Sequence, residues 1–260
     1  MRYRTGTAAV MAAVLAGGGC ATMSGPEEVL PLPYVKPFSE SPLDADLPEG
    51  WRLWNLSRLK QPTRYKLIEQ DGRKVVKASA DASASGLVHP LRLDPRTYRL
   101  LSWEWKIGAL IAGADNTRKA SEDSPVRIVV TFDGDSNSLP LEERIFADNF
   151  RLLTGQDLPY ATLMYIWENR AAPESIIPSR HTSRIKMIVA RSGSDGLGTW
   201  HKLDRNLYAD FRRAFGEEPG TITAVAIMTD TDNTGEKAAA YYGDIVFRRI
   251  APPRVVLESD

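Results

Sequence analysis

The sequence predicts an all-β fold, an antiparallel β-sandwich of jelly-roll type with two short helices on its periphery. Three observations carry that prediction. Short runs with a two-residue apolar period recur between turn residues, and only two segments show a helical period instead. In Leu101-Ser-Trp-Glu-Trp-Lys106, for example, Leu101, Trp103 and Trp105 share one face and Ser102, Glu104 and Lys106 the other. Apolar residues make up 43% and charged residues 25% of the 260-residue chain, which suits a globular domain with one sizeable core.

The amino-terminal end reads as an export signal. Arg2 and Arg4 precede an apolar stretch over 8–16, too short to span a bilayer, and Gly17-Gly18-Gly19-Cys20 follows. The chain therefore divides into a signal peptide of lipoprotein type over 1–20, a proline-rich linker over 21–47, a β-sandwich domain over 48–250 and a carboxy-terminal tail over 251–260. The pattern resembles a bacterial lipoprotein signal, in which the cysteine becomes the lipid-bearing terminus, although Gly17 stands where leucine is usual. That resemblance implies lipidation of Cys20 and, with Ala21 beside it, a periplasmic protein anchored to the outer membrane. The alternative is a secreted or soluble periplasmic protein. Either way the membrane is met only through an amino-terminal lipid anchor. Cys20 is the single cysteine, which excludes an intramolecular disulfide and a cysteine-rich metal site.

Within the domain, Trp51 and Trp54 open the folded unit, and 65–69 and 74–78 form a hairpin about Asp71-Gly72. Residues 80–86 read as a small polar loop, 87–93 as a strand ended by Asp94-Pro95, and 98–106 as the tryptophan strand. A long polar loop leads to a strand over 126–132. Leu141, Ile145, Phe146, Phe150 and Leu153 then mark one face of a helix laid across the sandwich. Strands follow at 161–167 and 185–190, and a second helix over 206–215 is closed by Gly216. Strands over 223–228 and 239–249 bring the number to about nine.

Three polar runs follow strand ends, where a rigid scaffold presents sites. They supply the candidate ligand-binding residues Asp115, Asn116, Arg118, Lys119, Asp123 and Arg127, then Trp167, Glu168 and Asn169, then Asp230, Asp232 and Asn233. Carboxylates, amides and cations together suit a hydroxyl-rich polar ligand, a glycan foremost. The competing reading is that these groups cap loops and pair with one another. Glu168 with Asp123 or Asp230 would supply the acid and base of a glycan hydrolase or lyase. Trp103, Trp105 and Trp167 are candidates for sugar stacking, with core packing expected for two of the three. The oxygen-rich run 230–236 suits a structural calcium ion. Tyr241 at the twelfth position excludes an EF-hand, and no other cofactor is expected. Lysine plus arginine equals aspartate plus glutamate at 33 each, so no nucleic-acid partner is expected. His89, His181 and His201 lack metal-ligand spacing, and no known catalytic signature is found.

The runs Ala114-Asp-Asn-Thr-Arg-Lys-Ala120 with Asp123-Ser-Pro-Val-Arg127, Leu158-Pro-Tyr-Ala-Thr-Leu-Met-Tyr-Ile-Trp-Glu-Asn169 and Met228-Thr-Asp-Thr-Asp-Asn-Thr-Gly-Glu236 resemble an uncharacterised bacterial family, domain of unknown function 3047. The resemblance covers roughly 48–249 and implies export but no activity. Tyr242-Gly-Asp-Ile-Val-Phe247 is also similar to the last strand of jelly-roll carbohydrate-binding modules. The expectation is an exported, lipid-anchored cell-envelope protein that binds a polar ligand, a glycan foremost, through its strand-end loops. One alternative is a glycan hydrolase or lyase at the same loops, and the other is a non-catalytic structural envelope protein.

Overall fold

A computed structural model describes residues 35–55 and 60–249. The predicted signal peptide with Cys20, the first part of the linker and the carboxy-terminal tail lie outside them. The elements run β1 (Arg52–Trp54), β2 (Arg64–Gln70), β3 (Arg73–Asp81), β4 (Ala84–Leu93), β5 (Leu100–Ile107), β6 (Ser124–Phe132), α1 (Leu141–Thr154), β7 (Ala161–Glu168), β8 (Ile176–Pro178), β9 (Ile185–Ser192), β10 (His201–Asn206), α2 (Leu207–Phe215), β11 (Ile222–Asp230) and β12 (Lys237–Arg248). Seven strands form one sheet in the order β1-β4-β11-β6-β7-β9-β8, and five form the other in the order β10-β5-β12-β3-β2. All neighbours are antiparallel except β7 and β9, which pair in parallel. The result is the predicted sandwich of jelly-roll type.

Alternation decides what fills the space between the sheets. Leu101, Trp103, Trp105 and Ile107 of β5 point inward, as do Val126, Ile128, Val130 and Phe132 of β6 and Leu163, Tyr165 and Trp167 of β7. An aromatic layer results, with Trp103 centred 5.4 Å from Trp105 and 4.9 Å from Tyr165. All three candidate stacking tryptophans lie in this core at 1% exposure or less, one more than expected. A register shift in β12 between Tyr242 and Ile245 turns both inward.

Strand extent differs from expectation in a consistent way. β3 and β4 run almost into each other across 80–86, because Ser83 and Ser85 bury their hydroxyls in bonds to Thr63 and so need no solvent. The short strands β8 and β10 carry too few residues to show a period. Part of the predicted linker is also folded: Phe38, 1% exposed, sits 4.9 Å from Trp51, and Val35 is buried with it. Pro37 and Pro42 of this part interrupt irregular backbone that packs on the core through Val35 and Phe38.

Both helices form. Asn206 caps α2 by accepting from the Ala209 N–H at 3.0 Å, and Gly216 ends it in the left-handed region, which lacks a penalty only for glycine. Leu207, Phe211 and Ala214 of α2 face the core. Helix α1 departs from expectation. Leu141, Ile145 and Leu153 of its apolar face are 63%, 51% and 85% exposed, and its one buried residue is Glu143. Glu143 pins the helix to the segment before β9 by accepting from the Thr182 hydroxyl and from the Ser183 N–H at 2.8 Å. Polar anchoring, rather than apolar burial, holds this helix beside the outer face of the seven-stranded sheet.

Candidate functional site

The three polar runs converge, and most of their groups are consumed by one another. Glu168, 1% exposed, accepts from the Asn116 N–H at 3.2 Å through Oε1, and from the Arg170 N–H and the Ala171 N–H (2.7 Å) through Oε2. Asp123 is fully buried and accepts from the Asn233 N–H at 3.2 Å and the Thr234 N–H at 2.7 Å. Asn116 donates from Nδ2 to the Asp123 carbonyl, and Asn169 donates to the carbonyls of Ile111 and Ala114. Trp167 lies in the core and donates its indole N–H to the Gly193 carbonyl at 2.9 Å. Asp115 closes its own turn by accepting from Thr117, whose hydrogen bond holds the carboxyl below its usual range, while Arg118 is exposed at the loop surface. Glu168 and Asp123 are buried and already hold loop backbone N–H groups, so both knit the loops together.

The remaining candidates face a different space. A cleft of about 580 Å³ lies between α1 and the outer face of the seven-stranded sheet. Val88 of β4, Met164 of β7 and Ala226 and Met228 of β11 form its floor, and Trp54, Phe146, Phe150 and Leu153 form its walls. The small side chains Ala224 and Ala226, on alternate positions of the interior strand β11, leave the room that α1 does not fill. Lys119, Arg127, Asp230 and Asn233, all predicted site residues, stand at the polar end with Lys60, Glu122 and His181. Lys60, Glu122, His181 and the whole apolar floor were not among the predicted site residues. The floor's signal is that 128–130 and 224–228 are apolar on both faces, the mark of strands covered on both sides.

Arg127 organises the polar end. It is 2% exposed and donates from Nε to Asp230 Oδ1 at 2.9 Å, and from Nη2 to Asp230 Oδ2 at 3.0 Å and to the Glu122 carbonyl at 2.8 Å. Among the described residues its Nη1 meets only thioether sulfur, that of Met187 at 3.2 Å and of Met164 at 4.0 Å. Burial pushes the Asp230 carboxyl up to about 6 against the pull of Arg127, and burial likewise raises Glu122. His181 is lowered by burial and then by the charges of Lys119 and Lys60.

Carboxylate oxygens of Asp123, Asp230 and Asp232 lie within 4.8 Å of one another, the grouping that a calcium ion would use. Each already has a partner: Asp230 has Arg127, Asp232 has Lys60 at 2.6 Å, and Asp123 has backbone N–H groups. A cation would have to displace two positive side chains, so these residues fit calcium poorly.

The chain is similar to several solved structures of low identity. A family 11 carbohydrate-binding module from Clostridium thermocellum, in complex with a mixed-linked tetrasaccharide, matches at 10% identity over 78% of this chain and 92% of that chain, with a TM-score of 0.37. A family 30 module of a Clostridium thermocellum cellulosomal cellulase matches at 10% identity over 74% and 88%, with a TM-score of 0.35. The glycoside hydrolase domain of Endo-D from Streptococcus pneumoniae R6 matches at 10% identity and a TM-score of 0.32 over 78% of this chain, which spans 22% of that one. No curated protein matches the sequence. A family model does match, over residues 49–246, and on that match the chain belongs to the proteins of unknown function DUF3047.

Proposed function

We propose that this protein is a non-catalytic ligand-binding protein of the cell envelope, and that its ligand occupies the cleft between α1 and the seven-stranded sheet. The observation that carries this reading is the cleft's division into an apolar floor and a polar end. Met164, Met228 and Phe150 would take up an apolar body, since transfer of such a body from water contributes about 25 cal/mol per Å². The export signal and the cysteine at 20 support delivery to the envelope and anchoring there by lipid.

A saccharide is the second reading, favoured by the Trp54 ring and the hydrogen-bonding rim of Arg52, Asn149 and Gln156 in the same cleft. Titration with the neutral apolar fluorophore N-phenyl-1-naphthylamine separates the two. The expected result is a saturable single site that Ala226→Trp, which fills the floor, abolishes and that envelope oligosaccharides leave undisturbed. Displacement by oligosaccharides would establish the second reading. Fluorophore binding that survives Ala226→Trp, or none at all, would refute the cleft as the site.

A further inference from the structure

The polar end of the cleft has more donors than acceptors to offer a ligand. Asp230 is taken by Arg127 and Asp232 by Lys60. Lys119 is exposed at the cleft wall and pairs with no carboxylate within 4 Å among the described residues. Arg127 Nη1 is buried and directed at thioethers, which are weak acceptors, so half of a buried guanidinium's fork lacks a strong partner. Arg180, beside this end, uses its Nε on the Thr117 carbonyl and likewise pairs with no carboxylate among the described residues. The positive field of Lys119 and Lys60 is felt by His181.

Two acceptors stand against these donors. Glu122 Oε2 and Asp232 Oδ1 are buried without a partner among the described residues. Burial raises the Glu122 carboxyl, against the pull of Arg127, Lys60 and Arg180.

On the reading that the cleft is a ligand site, we propose that its ligand is an anionic amphiphile, whose apolar chain lies on Met164, Ala226 and Met228 and whose carboxylate or phosphate head meets Lys119 and Arg127 Nη1. Apolar floor and cationic end are continuous within one cleft, so one molecule with both chemistries satisfies them together. A soluble anion would leave the floor wet, and a neutral lipid would leave Arg127 Nη1 with only thioether acceptors among the described residues. The carboxylate of a fatty acid and the phosphate of a lipid headgroup share this chemistry.

The test is competition against the neutral fluorophore bound to the purified protein, with twelve-carbon chains bearing different heads: dodecanoate, dodecyl phosphate, dodecyl maltoside and dodecyltrimethylammonium. One or both anions should displace at concentrations about tenfold lower than the neutral and cationic chains, which corresponds to ~1.4 kcal/mol. The anion that does so identifies the source of the head. Lys119→Glu should remove that preference with the melting temperature unchanged, and raising salt from about 0.05 to 0.5 M should weaken it. Equal displacement by all four heads would overturn the anionic assignment and leave the cleft site standing. Failure of the fluorophore itself to bind would overturn both.

Discussion

Replacing Arg127 by methionine tests whether the polar end of the cleft is sealed in the way its geometry implies. The substitution keeps an unbranched apolar stem and removes three charge-assisted donations, two to Asp230 and one to the Glu122 carbonyl. Arg127 and Asp230 are 2% and 4% exposed, so water cannot replace those bonds without entering the sheet. Breaking a buried pair by removing one partner costs ~3–5 kcal/mol, against a total stability of ~5–15 kcal/mol for a domain. The cost depends on pH, and its sign follows from Asp230. Burial already raises this carboxyl to about 6, and loss of Arg127 raises it further. A carboxyl raised in the folded state favours folding when protonated. The variant's deficit relative to the natural protein therefore grows as pH rises above about 6 and shrinks below it, by at most ~1.4 kcal/mol per pH unit. Urea unfolding at pH 5 and pH 8, followed by tryptophan fluorescence, measures both terms. A deficit below about 1 kcal/mol that is the same at both pH values would refute the sealed pair. Arg127→Met combined with Asp230→Leu should recover most of the loss, because no unpaired charge then remains.

Three further outcomes are expected. Glu168→Gln loses charge-assisted acceptance from three backbone N–H groups and should destabilise by ~1–3 kcal/mol in urea unfolding, while the fluorophore affinity stays within twofold because Glu168 does not line the cleft. Glu174 is lowered first by its hydrogen bonds from Arg205, so it contributes stability above the usual glutamate range that is lost as pH falls through its lowered value. Arg205→Gln should flatten that acid limb in melting curves taken between pH 5 and pH 3. Calcium at millimolar concentration should leave the melting temperature unchanged, since Arg127 and Lys60 already meet Asp230 and Asp232; a rise of several degrees would show that the three aspartates bind it.

Much of the sandwich was legible because each long strand carries its own period. Trp103 and Trp105 announce β5, the Asp71-Gly72 turn joins β2 to β3, and Asn206 with Gly216 brackets α2. These are local signals, set by backbone sterics and by which face a side chain takes. The convergence of Asn116, Asp123, Glu168 and Asn233 was also foreshadowed by three polar runs at strand ends, but their burial was not. A carboxylate that will accept three backbone N–H groups reads the same, in sequence, as one that will meet a ligand.

Composition and pattern alone determined the all-β class, the two helices and a single cysteine. Only the tertiary structure decided which sheet face stays open. Ala224 and Ala226 on one strand, Met164 on another and α1, held by Glu143 rather than by its leucines, enclose a cleft that none of these segments encodes separately. Cleft shape depends on the distance between elements far apart in sequence, and that distance is set by long-range packing and buried hydrogen bonds rather than by any local period.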